Sequence, residues 1–311
     1  KMDAEIDVRY PFHLEQWFVS YPKTIVLVAG EPDAGKTAKP PAATAIPYGA
    51  NKAAGHTFVH DGITFYYEVY GEGAPLLLVH GNGGSMGLLA AQIDHFKAHR
   101  KVIAMDSRDQ GRSGDSPGPI TYEQMTDDLA ALVDHLKLGR VDVVGWSDGG
   151  IEALLMGVRH PDKVGKLVAM AANLNPDAIY PETAAMVAQA LAGMTADADK
   201  TPQGRRAAKM LHLLAKEPHI DPALLSKVSA PTLVLSSDHD VVLLKHTVDI
   251  YEHLPNANLA VFPNSTHAVP YDDPKLFNET VDLFLATPFK KKDRIADLMD
   301  SLDKATAGLA K

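Results

Sequence analysis

The stretch Gly145-Trp146-Ser147-Asp148-Gly149 places a serine among glycines at the end of the apolar run "VDVVGW" (141–146). The spacing G-x-S-x-G suits a strand that turns sharply into a helix and holds the serine hydroxyl clear of the backbone. The chemistry would be nucleophilic attack, and a serine hydroxyl needs a base to take its proton. Among 14 histidines, His267 lies in "FPNSTHAVPYDDPKLF", a loop after an expected strand and before an expected helix. It is the candidate base. His80 is a rival, but it falls in the turn "HGNGG" and reads better as a support beneath that turn; His239 is an outside alternative. The imidazole needs a carboxylate to orient it, and "VLSSDHD" offers Asp238 and Asp240 at the end of an expected strand. Serine, then acid, then histidine is the chain order of one particular fold.

Acyl chemistry also needs donors for a developing oxyanion, and main-chain N–H groups can supply them. The loop "VHGNGGS" (79–85) follows an apolar run, and the N–H groups of Asn82 and Asp148 are the candidate pair.

These residues must be positioned by regular elements. "TFVHDGITFYYEVYG" reads as a hairpin turning at Asp61-Gly62. "PLLLVHG" (75–81), "KVIAMD" (101–106), "VDVVGW" and "KLVAMAA" (166–172) are continuous apolar runs, as expected of strands buried on both faces of a parallel sheet. Helical patterns lie between them at about 86–97, 121–137 with Thr121 as N-cap, and 149–160. "PTLVLSSDHD" (231–240) and "NLAVFPNSTHAV" (258–269) resume the sheet, with helices near 243–253 and 273–286. The fold class is therefore α/β, a doubly wound and mostly parallel sheet. Residues 173–228 carry helical patterns without a strand and read as an inserted helical cap, dividing a core of 56–172 and 229–288. Residues 1–55 hold an aromatic opening and a Pro/Ala-rich arm. In the tail 289–311, Ile295, Leu298, Met299 and Leu302 share one helix face that should dock, on this chain or on a second copy as a homo-oligomer.

With these residues in place, the sequence resembles the α/β-hydrolase superfamily over about 56–288, in the branch with a small helical cap that includes valacyclovir-hydrolase-like enzymes. "HGNGG", "DSRDQGRS" (106–113), "GWSDGG", "PTLVLSSDHD" and "NSTHAV" carry the resemblance. In that family the acid strand ends G-x-x-D. Ser237 holds the glycine position here, so the resemblance points to Asp240 as the acid. Asp109 replaces a glycine of the D-x-R-G-x-G-x-S turn, and aspartate tolerates left-handed backbone better than most residues. The resemblance implies a serine hydrolase for a carboxylic ester, or a related amide, lactone or thioester, with no metal or organic cofactor. Perhydrolysis and C–C bond hydrolysis use similar triads and stay as alternatives.

"GEPDAGKT" (30–37) has P-loop spacing, but "AKPPAATAIP" follows, and its prolines oppose the helix a P-loop must open. A nucleotide-binding module is thus the weaker alternative. His95, His99 and His212 lack a metal motif such as H-E-x-x-H and read as surface or packing residues. Met186, Met194, Met210, Leu213 and Leu214 read as core, and some could line an acyl pocket. The "KKK" run at 290–292 reads as a solvated helix start. A net charge of −9 opposes a nucleic-acid groove. The lack of cysteine excludes disulfides and thiolate chemistry. No apolar run approaches the roughly 20 residues that cross a bilayer. The partner expected is a small-molecule ester. The Pro/Ala-rich arm resembles mature exported N-termini and suggests a periplasmic or secreted location, with the cytoplasm as alternative.

Overall fold

In the computed structural model, residues 47–194 and 200–309 are described. The aromatic opening, most of the Pro/Ala-rich arm and the "GEPDAGKT" stretch lie outside them. The hairpin forms as expected: β1 (Gly55–His60) and β2 (Ile63–Tyr70) pair antiparallel. Asp61 and Gly62 both take positive φ, 48° and 75°, the conformation whose twist matches a two-residue hairpin.

Six further strands follow: β3 (Pro75–Val79), β4 (Lys101–Met105), β5 (Val141–Trp146), β6 (Val164–Met170), β7 (Thr232–His239) and β8 (Ala257–Thr266). The sheet order is β1-β2-β4-β3-β5-β6-β7-β8. β2 is antiparallel to β4, and β4 through β8 are parallel. The chain leaves β3 for β4 on one side, then returns past it to β5 on the other. The carboxyl ends of β3 and β5 thus flank a topological switch point, where such sheets bind ligands.

The apolar strand runs reflect two cores. Leu77, Val79, Ile103, Val143 and Val234 face one, with α2 (Tyr122–His135), α3 (Asp148–Arg159) and α6 (Leu244–His253) packed over it. Leu76, Leu78, Val102, Val144 and Leu235 face the other, covered by α1 (Ala90–Phe96) and α8 (Pro274–Ala286). Alternate residues point to opposite faces, so a strand buried on both sides must be apolar throughout. Thr121 begins α2 as expected: its hydroxyl accepts the Gln124 N–H (3.3 Å), and the Gln124 side chain accepts the Thr121 N–H (3.2 Å). This reciprocal pair is a capping box.

Between β6 and β7 lie α4 (Pro181–Gly193) and α5 (Pro202–Lys216). Met210 and Leu213 of α5 are buried, whereas Met186, Met194 and Leu214 are only half-buried, so the apolar stripe is core in part. The same helix is tied to the loop after β4. Arg206 donates to the carbonyls of Gly111 (3.0 Å) and Ser113 (2.8 Å), and Lys209 to that of Ser116 (2.6 Å). Lys209 also pairs with Asp109 at 2.5 Å. Asp109 adopts φ 59°, so aspartate does serve the left-handed turn and gains a partner there.

A short helix, α7 (Val269–Asp272), precedes α8, and α9 (Ala296–Leu309) follows it. Two expectations for the tail are corrected. The lysine run precedes α9 rather than starting it, and Lys290 and Lys292 approach Asp297 at 3.6 and 3.2 Å. The apolar face does not dock on the described part of this chain: Ile295, Leu298, Met299 and Leu302 are 50–69% exposed. Short-range periodicity formed the helix without supplying a surface to receive it.

Candidate active site

Ser147 joins β5 to α3 with φ 58° and ψ −118°, a conformation that L side chains rarely adopt and that here holds the hydroxyl at a strained turn. The flanking glycines are steric necessities. A Cβ at Gly145 would lie 1.8 Å from the Gly149 carbonyl oxygen, and one at Gly149 2.2 Å from that of Val79. The turn is anchored by the Ser147 N–H, which donates to Met170 O at 2.9 Å.

His267, just past β8, brings Nε2 to 3.0 Å from Ser147 Oγ and Nδ1 to 2.7 Å from Asp240 Oδ1. With Nδ1–H donating to the carboxylate, Nε2 is left to accept the serine proton. The loop is held from below by the Trp146 indole N–H, which donates to the His267 carbonyl at 2.8 Å. Asp240 is buried at the end of β7. Burial pulls its carboxyl upward, but the His267 charge and hydrogen bond, together with the N–H groups of Val242 and Ser237, outweigh that and hold it below its ordinary value.

The rival residues have other roles. Asp238 accepts the N–H groups of Asn264 (2.7 Å) and Ser265 (3.0 Å), bracing the loop that carries His267. His239 is largely exposed. His80 Nε2 accepts the Ser107 N–H at 3.1 Å, so its proton resides on Nδ1 and is donated to Gly81 O at 2.8 Å. Burial lowers its pKa against the pull of Asp106, keeping the ring neutral beneath the turn.

The loop after β3 lies against Ser147: a Cβ on Gly81 would stand 3.1 Å from Ser147 Cβ. For the N–H groups of Asn82 and Asp148, no acceptor appears among the turn and side-chain hydrogen bonds of the described residues. Asp148 links the loop to the elbow. Its Oδ2 accepts the Asn82 side-chain amide (2.9 Å) and its Oδ1 the Tyr122 hydroxyl (2.8 Å); the same amide reaches Met210 O of α5 (3.3 Å). Burial pushes the Asp148 carboxyl up to about 6, against the lowering effect of those two donors and His267. Sequence reading did not single out Tyr122, Trp146 as a brace, or the Met210 carbonyl. Tyr122, directly after the Thr121 cap, carried a weak signal as a phenol on a buried helix start.

A strained serine, an imidazole and a buried carboxylate in one hydrogen-bonded chain can generate a nucleophile at neutral pH. Residues 74–219 match the family described as the alpha/beta hydrolase fold. A Caulobacter sp. (strain K31) protein named "Putative carbamate hydrolase RutD" is 32% identical over 255 residues, covering 71% of this chain and 95% of that one. The chain therefore belongs to the α/β-hydrolase family and is a hydrolase of that fold. It is also similar to the human "Serine hydrolase BPHL", at 25% identity over 72% of this chain and 84% of the relative. Among solved structures, a thermophilic esterase from Thermogutta terrifontis superposes with a TM-score of 0.61 at 26% identity, over 74% of this chain and 96% of that one.

Proposed function

We propose that the protein is a serine hydrolase that cleaves a small or medium carboxylic ester, or a related amide, lactone or thioester, through an acyl-enzyme. The observation that carries this is the unbroken path from Asp240 Oδ1 through both His267 nitrogens to Ser147 Oγ, at 2.7 and 3.0 Å. His267 Nε2 takes the Ser147 proton as Oγ bonds to the carbonyl carbon. The oxyanion forms beside the N–H groups of Asn82 and Asp148. His267 then gives its proton to the leaving oxygen, and the acyl group stays on Ser147. Water, deprotonated by His267, attacks the acyl carbon; Ser147 regains its proton and the acid departs. Asp240 holds the imidazole tautomer and stabilises the imidazolium throughout. Residues 173–228 act as a cap over the acyl site, a role supported by the contact between Met210 O and Asn82.

Similarity to the Caulobacter relative favours a second substrate class, carbamates, whose carbonyl the same serine would attack. Turnover of p-nitrophenyl butyrate beside matched carbamates and lactones ranks these classes. Ser147→Ala should remove turnover of all of them; unchanged turnover would refute the serine mechanism.

A further inference from the structure

His95, His99 and Asp282 converge at the end of the sheet opposite Ser147. His99 lies in the turn that enters β4, whereas Ser147 leaves β5 at its carboxyl end. His95 Nε2 is 2.8 Å from Asp282 Oδ2, and His99 Nε2 is 3.0 Å from Asp282 Oδ1. The three ligand-type atoms lie within 4.8 Å of one another. We propose that these residues bind one divalent transition-metal ion of the zinc type, which straps α1 and its following turn to α8.

The scaffold is firm where a binding site needs it to be. Phe96 and Val281, next in sequence to His95 and Asp282, are fully buried, and the His95 ring stands edge-on to Phe96 at 4.8 Å. One turn inward, Gln92 bonds Asn278 (3.2 Å) and Pro270 O (2.9 Å), and Asn278 bonds Ala91 O (3.2 Å), fixing α1 against α8. The cations of the same turn are engaged elsewhere: Lys97 with Asp94 and Tyr48, Arg100 with Asp142. Among the described residues, the ion-pair partners of Asp282 are the two histidines, with no lysine or arginine in competition.

Ligand chemistry selects the ion. Two imidazoles and one carboxylate suit zinc, nickel or copper, whereas calcium and magnesium favour all-oxygen sets. Zinc bonds of about 2.0–2.2 Å to nitrogen and oxygen set neighbouring donors about 3.3–3.4 Å apart in a tetrahedral shell, so each Nε2 has to open a few tenths of an ångström from its carboxylate oxygen to admit the ion. The imidazoles are partly exposed, 32% and 43% at the side chain, so small rotations accomplish this. The open side leaves the remaining coordination positions to water.

The test is calorimetric titration of the chelator-stripped full chain with zinc chloride at equimolar concentrations, beside His99→Ala, His95→Ala and Asp282→Asn. One equivalent should bind to the parent and raise its melting temperature. Each variant should lose at least about 100-fold in affinity, since changes outside the ligand set alone cost 10- to 100-fold, while its metal-free circular dichroism stays that of the parent. Equal binding by parent and variants, or no ion bound by the parent, would overturn the site.

Discussion

Asp240 after β7 and Glu152 within α3 are both buried, yet their surroundings drive them in opposite directions. Asp240 receives His267 and two main-chain N–H groups and is held below its ordinary value. Among the described residues, neither Glu152 oxygen has a hydrogen-bond partner. Burial, with the charges of Asp148 and Asp128 added, holds it well above its ordinary 4.5 and favours the neutral carboxyl. The one cation that lowers it, Arg108, is committed to Asp128 by two bonds of 2.6 and 2.7 Å. Burial alone therefore does not make an acid reactive. Partners decide whether the charge is kept, and the chain supplies them where the proposed chemistry needs charge.

The contrast is broken most severely by Asp240→Asn, which removes the acceptor that fixes the His267 tautomer. We expect a loss on the order of 10⁴-fold in kcat, read with p-nitrophenyl butyrate. Asp238→Asn should cost far less, because it weakens only a loop brace, and the reverse ranking would reassign the acid. Asp148→Ala comes next. It strips the acceptor from Asn82 and Tyr122 while leaving its own N–H in place, so the loop after β3 loses its anchor. Misplacement of about 1 Å can cost on the order of 10²-fold, and Asp148→Asn, which keeps one acceptor oxygen, should retain more kcat.

Glu152→Gln gives the smallest effect and one of opposite sign. A carboxyl whose folded pKa lies above its unfolded one loses stability as pH rises through the unfolded value, and the deficit grows until the folded value is reached. The amide escapes that deficit. It should therefore melt higher than the parent at pH 8, by about 2 °C or more for each ~1 kcal/mol in a chain of this size. The advantage should vanish below the ordinary value of 4.5. A parent that instead melts higher than the variant, by a margin that grows as pH rises through 4.5, would mean that Glu152 is paired and charged.

Ser147 and His267 were legible as candidate nucleophile and base because each occupies a strand-to-helix or strand-to-loop context that chain order reveals. Choosing between Asp238 and Asp240 needed the family resemblance. The structure supplies the difference: Asp238 is exposed within the end of β7, whereas Asp240, just past it, is buried against His267. The supporting contacts left no local trace. Tyr122 meets Asp148 across 26 positions, Trp146 meets His267 across 121, and Asn82 meets Met210 across 128. His95 and His99 read as surface or packing residues for the same reason, since their partner Asp282 is 187 and 183 positions away. The tail shows the converse, since its periodicity forecast a helix and could not say what, if anything, covers it.

The central claim is that Ser147 Oγ is the nucleophile. Intact-protein mass spectrometry after exposure to a fluorophosphonate tests it directly. The account predicts a single adduct, mapped to Ser147 by peptide analysis and strongly slowed in Asp240→Asn. A stable protein with no adduct, or with the label on another residue while Ser147 stays free, would contradict it.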